Sequence, residues 1–489
     1  MARKWKPYAN MFDKSAWLSV SNMLPHVSGA YVTPTLYTEK TGAGPATPGT
    51  TLRAWCALLP SDTAIGYVGT STKLYEYPTT DRSKVGGYAA TDWSFAQYGN
   101  ITLATDRTDN LQFRDATTAN AFADVSGSPP KSSIVVTQAE QVLLFDLNDG
   151  AEKPDAFAAC APGDYTDWSG AGATTATRIR HRPGKLTAAV AFNDYVLAFK
   201  KSSVYKLTYT GSTFKWRAEL IAVGRGAWGK HNVVNCGDVV VFSGPGGAWV
   251  FDGASFRDIS ERWGDQIGSA VTASFYEPVS RNVHFYRDVV SSGLSYIYNI
   301  VGDAWGSNSP AATTGAGLAG AYRPFTGEPA ALASFSTSTA NVDNSQLPWM
   351  LDYSSNPSVV EADTAWGGGS GPTARLYGTA EGAGMGAQTT FTGLRLVFGP
   401  TYTEFIRTFT DASFSPGNTE LALTCAAALS PLGPVTSPVS GLSSSSVERR
   451  FDFMVSTGHF LPQISIPASG GHCSILDYVL DYVPAGDII

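Results

Sequence analysis

The sequence contains little charge and few cysteines. Charged residues make up 15% of its 489 residues, well below the roughly 25% of an average soluble protein, which disfavours long solvated helices. The five cysteines lie far apart and form no CxxC pair, so the sequence predicts free thiols made in a reducing compartment. They are Cys56, Cys160, Cys236, Cys425 and Cys473.

Basic charge and long apolar runs are also scarce. The net charge of −7 argues against a protein that grips nucleic acid through phosphate neutralisation, although a basic face confined to part of the surface is compatible with it. Residues 1–20 lack the apolar stretch of a signal peptide, and no window offers the ~18 apolar residues of a membrane span. The sequence therefore predicts synthesis in a cytoplasm without an export signal or a membrane span.

Glycine and aromatic residues are abundant, and they mark a repeated hairpin pattern. Glycine accounts for 50 residues and aromatics for 12%. Short β-branched and aromatic runs alternate with Gly, Asn, Asp and Ser turns, and a further apolar run lies at 140–148. Several strands repeated every ~40–50 residues predict a β-propeller, and a string of β-sandwiches is the alternative. The hairpin centres fall near residues 71, 107, 202, 246 and 291.

One unit of this pattern is GDVVVFSGPGGAWVFDGASFRDIS at residues 237–260. Two apolar runs flank a Gly-Pro-Gly-Gly stretch, and Asp-Gly follows the second run. We interpret the segment as the inner three strands of one blade, with a tight structural turn at Gly246–Gly247. A blade is a small twisted sheet that buries its faces only by packing against its neighbours in the ring.

The composition changes after Trp366, which predicts more than one domain. Residues 366–388 are rich in glycine and poor in bulky apolar side chains, so we expect a linker or an exposed loop there. Strand-like runs beyond it predict a C-terminal, ring-forming, β-sandwich-like domain at 389–489. Residues 56–365 are predicted to form the propeller, and the strand-like pieces of residues 1–55 to complete the C-terminal domain. The predicted fold class is all-β.

Three short motifs are similar to binding loops but lack the required context. GRGAWGKH (224–231) matches half of a phosphate-binding P-loop, yet it has His231 where a magnesium-binding Ser or Thr belongs, and no helix is expected after it. GAGMG (382–386) lacks the βαβ unit of a dinucleotide site. DLNDG (146–150) has its glycine too early for an EF-hand and no closing Glu. All three favour turns or loops.

No catalytic or metal-binding constellation stands out. No histidine is spaced for metal binding with another His, Cys, Asp or Glu, and packing in a strand best explains His284. Asp194, Asp252 and Asp303 sit beside turn residues, where capping is their expected role, and neither a Gly-x-Ser-x-Gly elbow nor sialidase-type Asp repeats occur. The sequence predicts no catalytic residue, no cofactor, no metal and no enzymatic activity. The other histidines are His26, His181, His231, His459 and His472.

Four segments spread over the chain carry a family resemblance. They are SAWLSVSNMLPHVSGAYVTPTLYTE (15–39), GAWGKHNVVNCGDVVVFSGPGGAWVFDGASFRDIS (226–260), YIYNIVGDAWG (296–306) and SILDYVLDYVPAG (474–486). Together they resemble the tail nozzle, or tail hub, proteins of short-tailed bacteriophages (podoviruses), also called phage stabilisation proteins. The chain is shorter than the larger members of that family, so an extended nozzle domain is not expected.

The resemblance implies a structural protein of the virion tail. Six chains would form a ring at the distal end of the tail, dock on the head-to-tail adaptor, hold tailspikes or tail fibres, and surround the channel for ejection of double-stranded DNA. An acidic lumen repels phosphates, so contact with DNA is expected to be transient and unspecific. The alternatives are a glycan-binding or glycan-cleaving propeller, whose tryptophans would stack on sugars, and a scaffold propeller of cellular origin.

Overall fold

The described part of the protein consists of β-strands joined by turns and loops. A computed structural model describes residues 4–5, 16–32, 37–39, 51–61, 64–76, 80–211, 215–260, 271–278, 280–287, 295–308, 322–327, 349–352, 358–362, 374–378, 389–398, 421–428, 436–444, 450–457, 459–466 and 474–484. No helix in these residues is long and apolar enough to cross a bilayer. The first strands are β1 (Lys4–Trp5), β2 (Ala16–Ser21), β3 (Leu24–Pro25), β4 (Tyr31–Val32) and β5 (Tyr37–Glu39).

Six blades follow, and each is made of four consecutive antiparallel strands. The first three are β6 (Thr51–Leu58), β7 (Ala64–Thr70), β8 (Leu74–Glu76), β9 (Thr80–Asp81); β10 (Ser94–Tyr98), β11 (Ile101–Thr105), β12 (Gln112–Asp115), β13 (Ala123–Asp124); and β14 (Ser132–Gln138), β15 (Gln141–Asp149), β16 (Ala151–Ala159), β17 (Thr174–Arg178). The last three are β18 (Ala188–Phe192), β19 (Tyr195–Lys200), β20 (Ser203–Tyr209), β21 (Trp216–Val223); β22 (Val233–Asn235), β23 (Val240–Gly244), β24 (Gly247–Phe251), β25 (Phe256–Asp258); and β26 (Val271–Glu277), β27 (Asn282–Arg287), β28 (Ser295–Asn299), β29 (Ala304–Asn308).

The blades are arranged as a propeller, with the first strand of each blade innermost. The strands β6, β10, β14, β18, β22 and β26 contact one another in that order. In β20, Tyr205 and Leu207 pack in the core shared with the third blade, whereas Val204 packs in the core shared with the fifth. The alternation in the sequence therefore buries both faces of a blade against its neighbours, and the predicted all-β propeller is confirmed.

The predicted hairpin centres mark one particular turn of each blade. The centres near 71, 107, 202 and 246 are the connections between second and third strands, and the one near 291 lies outside the described residues. The connection of the third blade is at Gly150, inside the wide interval between 107 and 202. At the 246 turn, Pro245 precedes Gly246, whose φ of 91° is the left-handed conformation that a type II turn requires at this position. The predicted tight turn is confirmed.

One part of the blade interpretation is wrong. The strands within residues 237–260 are β23, β24 and β25, which are the outer three strands of the fifth blade. The innermost strand, β22, precedes them. It has only three residues and ends in Asn235, so its apolar pattern is too short to stand out in the sequence.

A further four-stranded unit closes the ring between the sixth and first blades. Its hydrogen-bonded order is β30-β31-β32-β5, and β30 also pairs in parallel with β6 and contacts β26. The outer strand, β5, thus comes from the N-terminal segment and the other three from residues 322–362. The new strands are β30 (Tyr322–Gly327), β31 (Trp349–Asp352) and β32 (Ser358–Ala362).

The remaining strands form two sheets that combine both ends of the chain. Their orders are β1-β2-β33-β38-β35-β36 and β3-β4-β39-β34-β37. The strand β33 lies within the predicted linker 366–388 and pairs with β2 and β38. The sequence did not predict it, because it is short and glycine-rich segments lie on both sides of it. The domain limits and the sandwich-like arrangement stay predictions. The strands are β33 (Ala374–Gly378), β34 (Thr389–Phe398), β35 (Leu421–Ala428), β36 (Thr436–Ser444), β37 (Arg450–Thr457), β38 (His459–Ile466) and β39 (Ser474–Pro484).

Candidate functional site at the channel mouth

Charged side chains meet at the end of the propeller where the innermost strands begin. Arg53 lies in β6, and Asp92 precedes β10 by two residues. Lys230 and His231 lie in the loop that leads to β22, within the P-loop-like segment 224–231. We call these four residues the mouth cluster. Each blade has four antiparallel strands, so its last strand ends on the side where its first strand began. Every connection between two blades therefore lies at this end of the propeller.

The contacts of the mouth cluster cross the propeller axis. The Oδ2 atom of Asp92 lies 2.9 Å from Nε2 of His231 and 3.4 Å from Nζ of Lys230, while its Oδ1 lies 3.2 Å from Nη2 of Arg53. Lys230 also donates to the backbone carbonyl of Ser133 in β14 at 2.9 Å. These contacts join the fifth blade to the second and third, which are not its neighbours in the ring. The cluster therefore occupies the channel at this end.

Burial and charge fix the protonation of the cluster. Burial, reinforced by the charge of Arg53, lowers the pKa of His231 to about 3 despite the carboxylate of Asp92, so the imidazole is neutral at pH 7 and donates its Nε2 hydrogen to Asp92. Burial alone would raise the pKa of Asp92, but His231, Lys230 and Arg53 outweigh it and hold that pKa well below the usual range. Burial also lowers the pKa of Lys230. The result is an ionised carboxylate saturated by donors.

The arrangement is suited to holding blades together rather than to proton transfer. A general base needs a free lone pair near its substrate, and each oxygen of Asp92 already faces a donor. The P-loop-like segment runs between β21 and β22, so no helix N-terminus follows it to hold phosphate. At Gly226, a Cβ atom would collide with the backbone carbonyl of Lys200. Close approach of two backbones, rather than phosphate binding, accounts for that glycine.

The other motifs lie in turns, in packed positions or outside the described residues. The turn predicted for DLNDG is only partly correct, because residues 146–149 are the end of strand β15 and Gly150 alone forms the turn. Asp146 accepts a hydrogen bond from Ser133 Oγ at 2.6 Å beside a register shift in that strand. His284 is buried, with its ring stacked 4.4 Å from that of Phe275. GAGMG lies outside the described residues, in which no group of three or more metal-ligating side chains occurs. Three of the predicted thiols are confirmed as buried and outside any disulfide: Cys56, Cys160 and Cys236.

A second notable site is the core where the N-terminal segment meets the propeller and the C-terminal strands. Met23 donates from its backbone nitrogen to the carbonyl of Ser307 at 2.9 Å, and the hydroxyl of Tyr31 donates to the carbonyl of Trp305 at 3.0 Å. The ring of Trp17 lies 5.5 Å from that of Tyr478 in β39. We call this core the N-terminal junction. Its buried residues are Trp17, Val20, Met23, Tyr31, Cys236, Val241, Ala248, Val250, Ile259, Val271, Val283, Phe285, Tyr298, Trp305, Ile464 and Tyr478.

A cleft of about 440 Å³ between the second and third blades is large enough for a sugar. Its amide side chains are already engaged, however. Gln97 donates to Gly99, Gln138 donates to the carbonyl of Asn193, and Gln141 accepts from the indole of Trp216. Since a sugar would have to displace these bonds, the cleft gives the glycan-binding alternative no specific support.

Sequence reasoning missed the mouth cluster. Asp92 is separated by 39 residues from Arg53 and by 139 from His231, so no local sequence motif predicts that these residues meet. Sequence reasoning also missed the basic run RIRHRPGK at residues 178–185. The run is visible in the sequence, but the expectation was based on the negative net charge of the whole chain.

The solved structures to which the chain is similar include three with low sequence identity. No family model and no curated protein sequence matches the chain. YCF48 from Cyanidioschyzon merolae is 11% identical and covers 67% of this chain and 98% of its own, with a TM-score of 0.40. BamB from Moraxella catarrhalis is 11% identical over 68% of this chain and 98% of its own (TM-score 0.36). The computationally designed Ika8 protein is 12% identical over 71% and 99% (TM-score 0.39). Such low values carry no information on function.

Proposed function

We propose that the protein is a structural subunit of a short bacteriophage tail. It would act as a nozzle or hub, and its partners would be five further copies of itself, the head-to-tail adaptor and tailspikes or fibres. The function requires no enzyme chemistry, cofactor or metal. The virion tail is the proposed location, after synthesis in the host cytoplasm.

One observation carries the proposal. The four segments that resemble the nozzle family are far apart in sequence, yet each contributes to the N-terminal junction. Trp17 comes from the first segment, Val250 from the second, Trp305 from the third and Tyr478 from the fourth. A resemblance due to generic blade features would be scattered around the ring, because every blade has such features. Its concentration where the propeller meets the terminal strands supports a shared architecture of those two parts.

The mouth cluster bears on the path of DNA in this proposal. Because the cluster occupies the propeller channel, the conduit would lie between subunits of the ring rather than along the axis of one propeller. Passage of double-stranded DNA would therefore depend on assembly. The sheets that carry the C-terminal strands are the proposed ring-forming part, and the propeller would project from them.

The oligomeric state tests the proposal. The pure full-length chain, alone and mixed with tail extracts of a short-tailed phage, should give rings with six times the 51.7 kDa chain mass by mass photometry and negative-stain microscopy. Monomers under both conditions, with micromolar affinity for oligosaccharides on a glycan array, would refute it in favour of the glycan-binding alternative. Monomers that bind no glycan would favour a cellular scaffold.

A further inference from the structure

In the described blade loops, basic residues predominate at one end of the propeller and acidic residues at the other. The mouth face comprises the loops at the end where the innermost strands begin, and the rear face comprises the loops at the other end. In the described loops of the six blades, the mouth face has eleven Lys and Arg against three Asp, whereas the rear face has two against seven acids. The basic residues of the mouth face are Lys73, Arg82, Lys84, Arg107, Lys131, Arg180, Arg182, Lys185, Lys201, Arg225 and Lys230. The acidic residues of the rear face are Glu140, Asp164, Asp167, Asp194, Asp238, Asp252 and Asp303.

Several mouth-face charges are neutralised locally, but those of the loop between β17 and β18 are not. Lys84, for example, contacts both Asp109 and Asp124. In the loop between β17 and β18, by contrast, Arg180, Arg182 and Lys185 are exposed, and none of them forms an ion pair with a described residue. We call these three residues, with the adjacent exposed Lys201, the basic ridge.

The backbone beneath the ridge is held in place. The buried ammonium of Lys200 donates to the carbonyls of Ile179 at 2.7 Å and Arg182 at 2.6 Å. The backbone nitrogen of Leu186 donates to the carbonyl of Pro154 at 2.8 Å, and the ring of His181 stacks on that of Tyr205. The loop is thus fixed while its charged ends remain in solvent. Such pre-organisation reduces the entropy lost when a ligand binds.

We propose that the basic ridge binds the phosphate backbone of duplex nucleic acid without sequence selectivity. Guanidinium forks match phosphate oxygens in geometry and charge, and a short run of Lys and Arg is a recurring polyanion-binding feature. The acidic rear face repels phosphate, so the duplex is directed to the mouth face. Single-stranded nucleic acid fits less well, because it requires free aromatic rings for base stacking and the ring of His181 is already stacked.

The proposal differs from the expected repulsion of DNA by an acidic lumen. That expectation rested on the mean charge of the chain, whereas the described blade loops carry mostly basic residues at one end and mostly acidic residues at the other. Binding by the ridge needs only one folded chain, so it does not depend on the proposed ring. If the ridge does not bind the duplex, the proposed ring is unaffected. If the chain forms no ring, the proposed binding by the ridge is unaffected.

The test is a titration of a fluorescent duplex of about 20 base pairs with the full-length protein at about 50 and 200 mM salt. Wild type should bind with an affinity that falls steeply with salt. The triple substitution Arg180→Ser, Arg182→Ser and Lys185→Ser should weaken binding about tenfold or more and reduce the slope of log affinity against log salt by about 2–3. A rear-face control, Lys215→Ser with Arg281→Ser, should bind like wild type.

Four outcomes would overturn the proposal. The first three are undetectable binding by wild type at the lower salt concentration, unchanged binding by the triple variant with wild-type circular dichroism, and equal loss of binding in the rear-face control. The fourth is competition by polyglutamate as strong as that by an unlabelled duplex of equal charge, since it would make the ridge a surface for acidic proteins. Equal affinity for two duplexes of unrelated sequence would support it.

Discussion

The N-terminal junction and the mouth cluster both join parts of the chain that are distant in sequence, but they use different chemistry. The junction packs Trp17, Trp305 and Tyr478 into one apolar core. The mouth cluster brings Arg53 and Asp92 together with Lys230 and His231 across the axis. The junction is held together by buried apolar side chains, and the mouth cluster by partly buried charged groups.

This difference predicts different responses to mutation and to pH. Apolar burial contributes roughly in proportion to the area removed from water and does not depend on protonation. Buried charges lose hydration, and they repay that loss only while every partner is present in the right ionisation state. The junction should therefore supply most of the cohesion between the N-terminal segment and the propeller, whereas the mouth cluster should fix the relative positions of blades in a manner sensitive to pH.

The largest expected effect is the loss of a large side chain from the junction. Trp17 is fully buried, so Trp17→Ala should lower the free energy of unfolding by about 3–5 kcal/mol, measured from urea denaturation. Release of residues 1–39 by limited proteolysis should accompany the loss. The matched variant Trp17→Phe keeps an aromatic ring against Tyr478 and should recover more than half of the stability. A wild-type urea midpoint for Trp17→Ala would contradict the role of this core.

The second effect distinguishes the mouth cluster from the junction by pH. The pKa of His231 is about 3 in the folded protein and about 6.5 in the unfolded chain. Between these values the unfolded chain binds a proton that the folded chain excludes, so this group reduces stability by about 1.4 kcal/mol for each unit that the pH falls below 6.5. His231→Gln removes this titration. Its stability deficit relative to wild type should shrink at that rate between pH 6 and pH 4.

The junction variants supply the control for this pH experiment. Trp17→Phe has no altered titratable group, so its deficit relative to wild type should be the same at pH 6 and pH 4. A constant deficit for His231→Gln over this range would mean that the pKa of the imidazole is the same in the folded and the unfolded protein. The description of the mouth cluster given above would then be wrong.

The same two regions show which parts of the structure could be predicted from the sequence. The propeller was predictable because a blade is a local unit, and its turns, such as Pro245–Gly246, have local requirements. Trp17 and Trp305 of the junction belong to two of the resemblance segments, but the sequence did not predict that these segments meet. The mouth cluster was not predictable, because His231 and Asp92 meet only after four blades have closed part of a ring. The innermost strand β22 was missed because three residues carry no periodicity.

The smallest effect concerns the polar contacts inside the apolar junction. The hydroxyl of Tyr31 donates to the carbonyl of Trp305 at 3.0 Å, and Tyr31→Phe removes that bond while it keeps the ring. The net contribution of such a bond is about 1 kcal/mol, so the urea midpoint should fall only slightly, and by the same amount at pH 6 and pH 4. If Tyr31→Phe instead destabilised the protein as much as Trp17→Ala, the junction would depend on its hydrogen bonds, and the contrast with the mouth cluster would fail. A small loss of stability that is independent of pH would show that the junction is stabilised mainly by the packing of its aromatic rings.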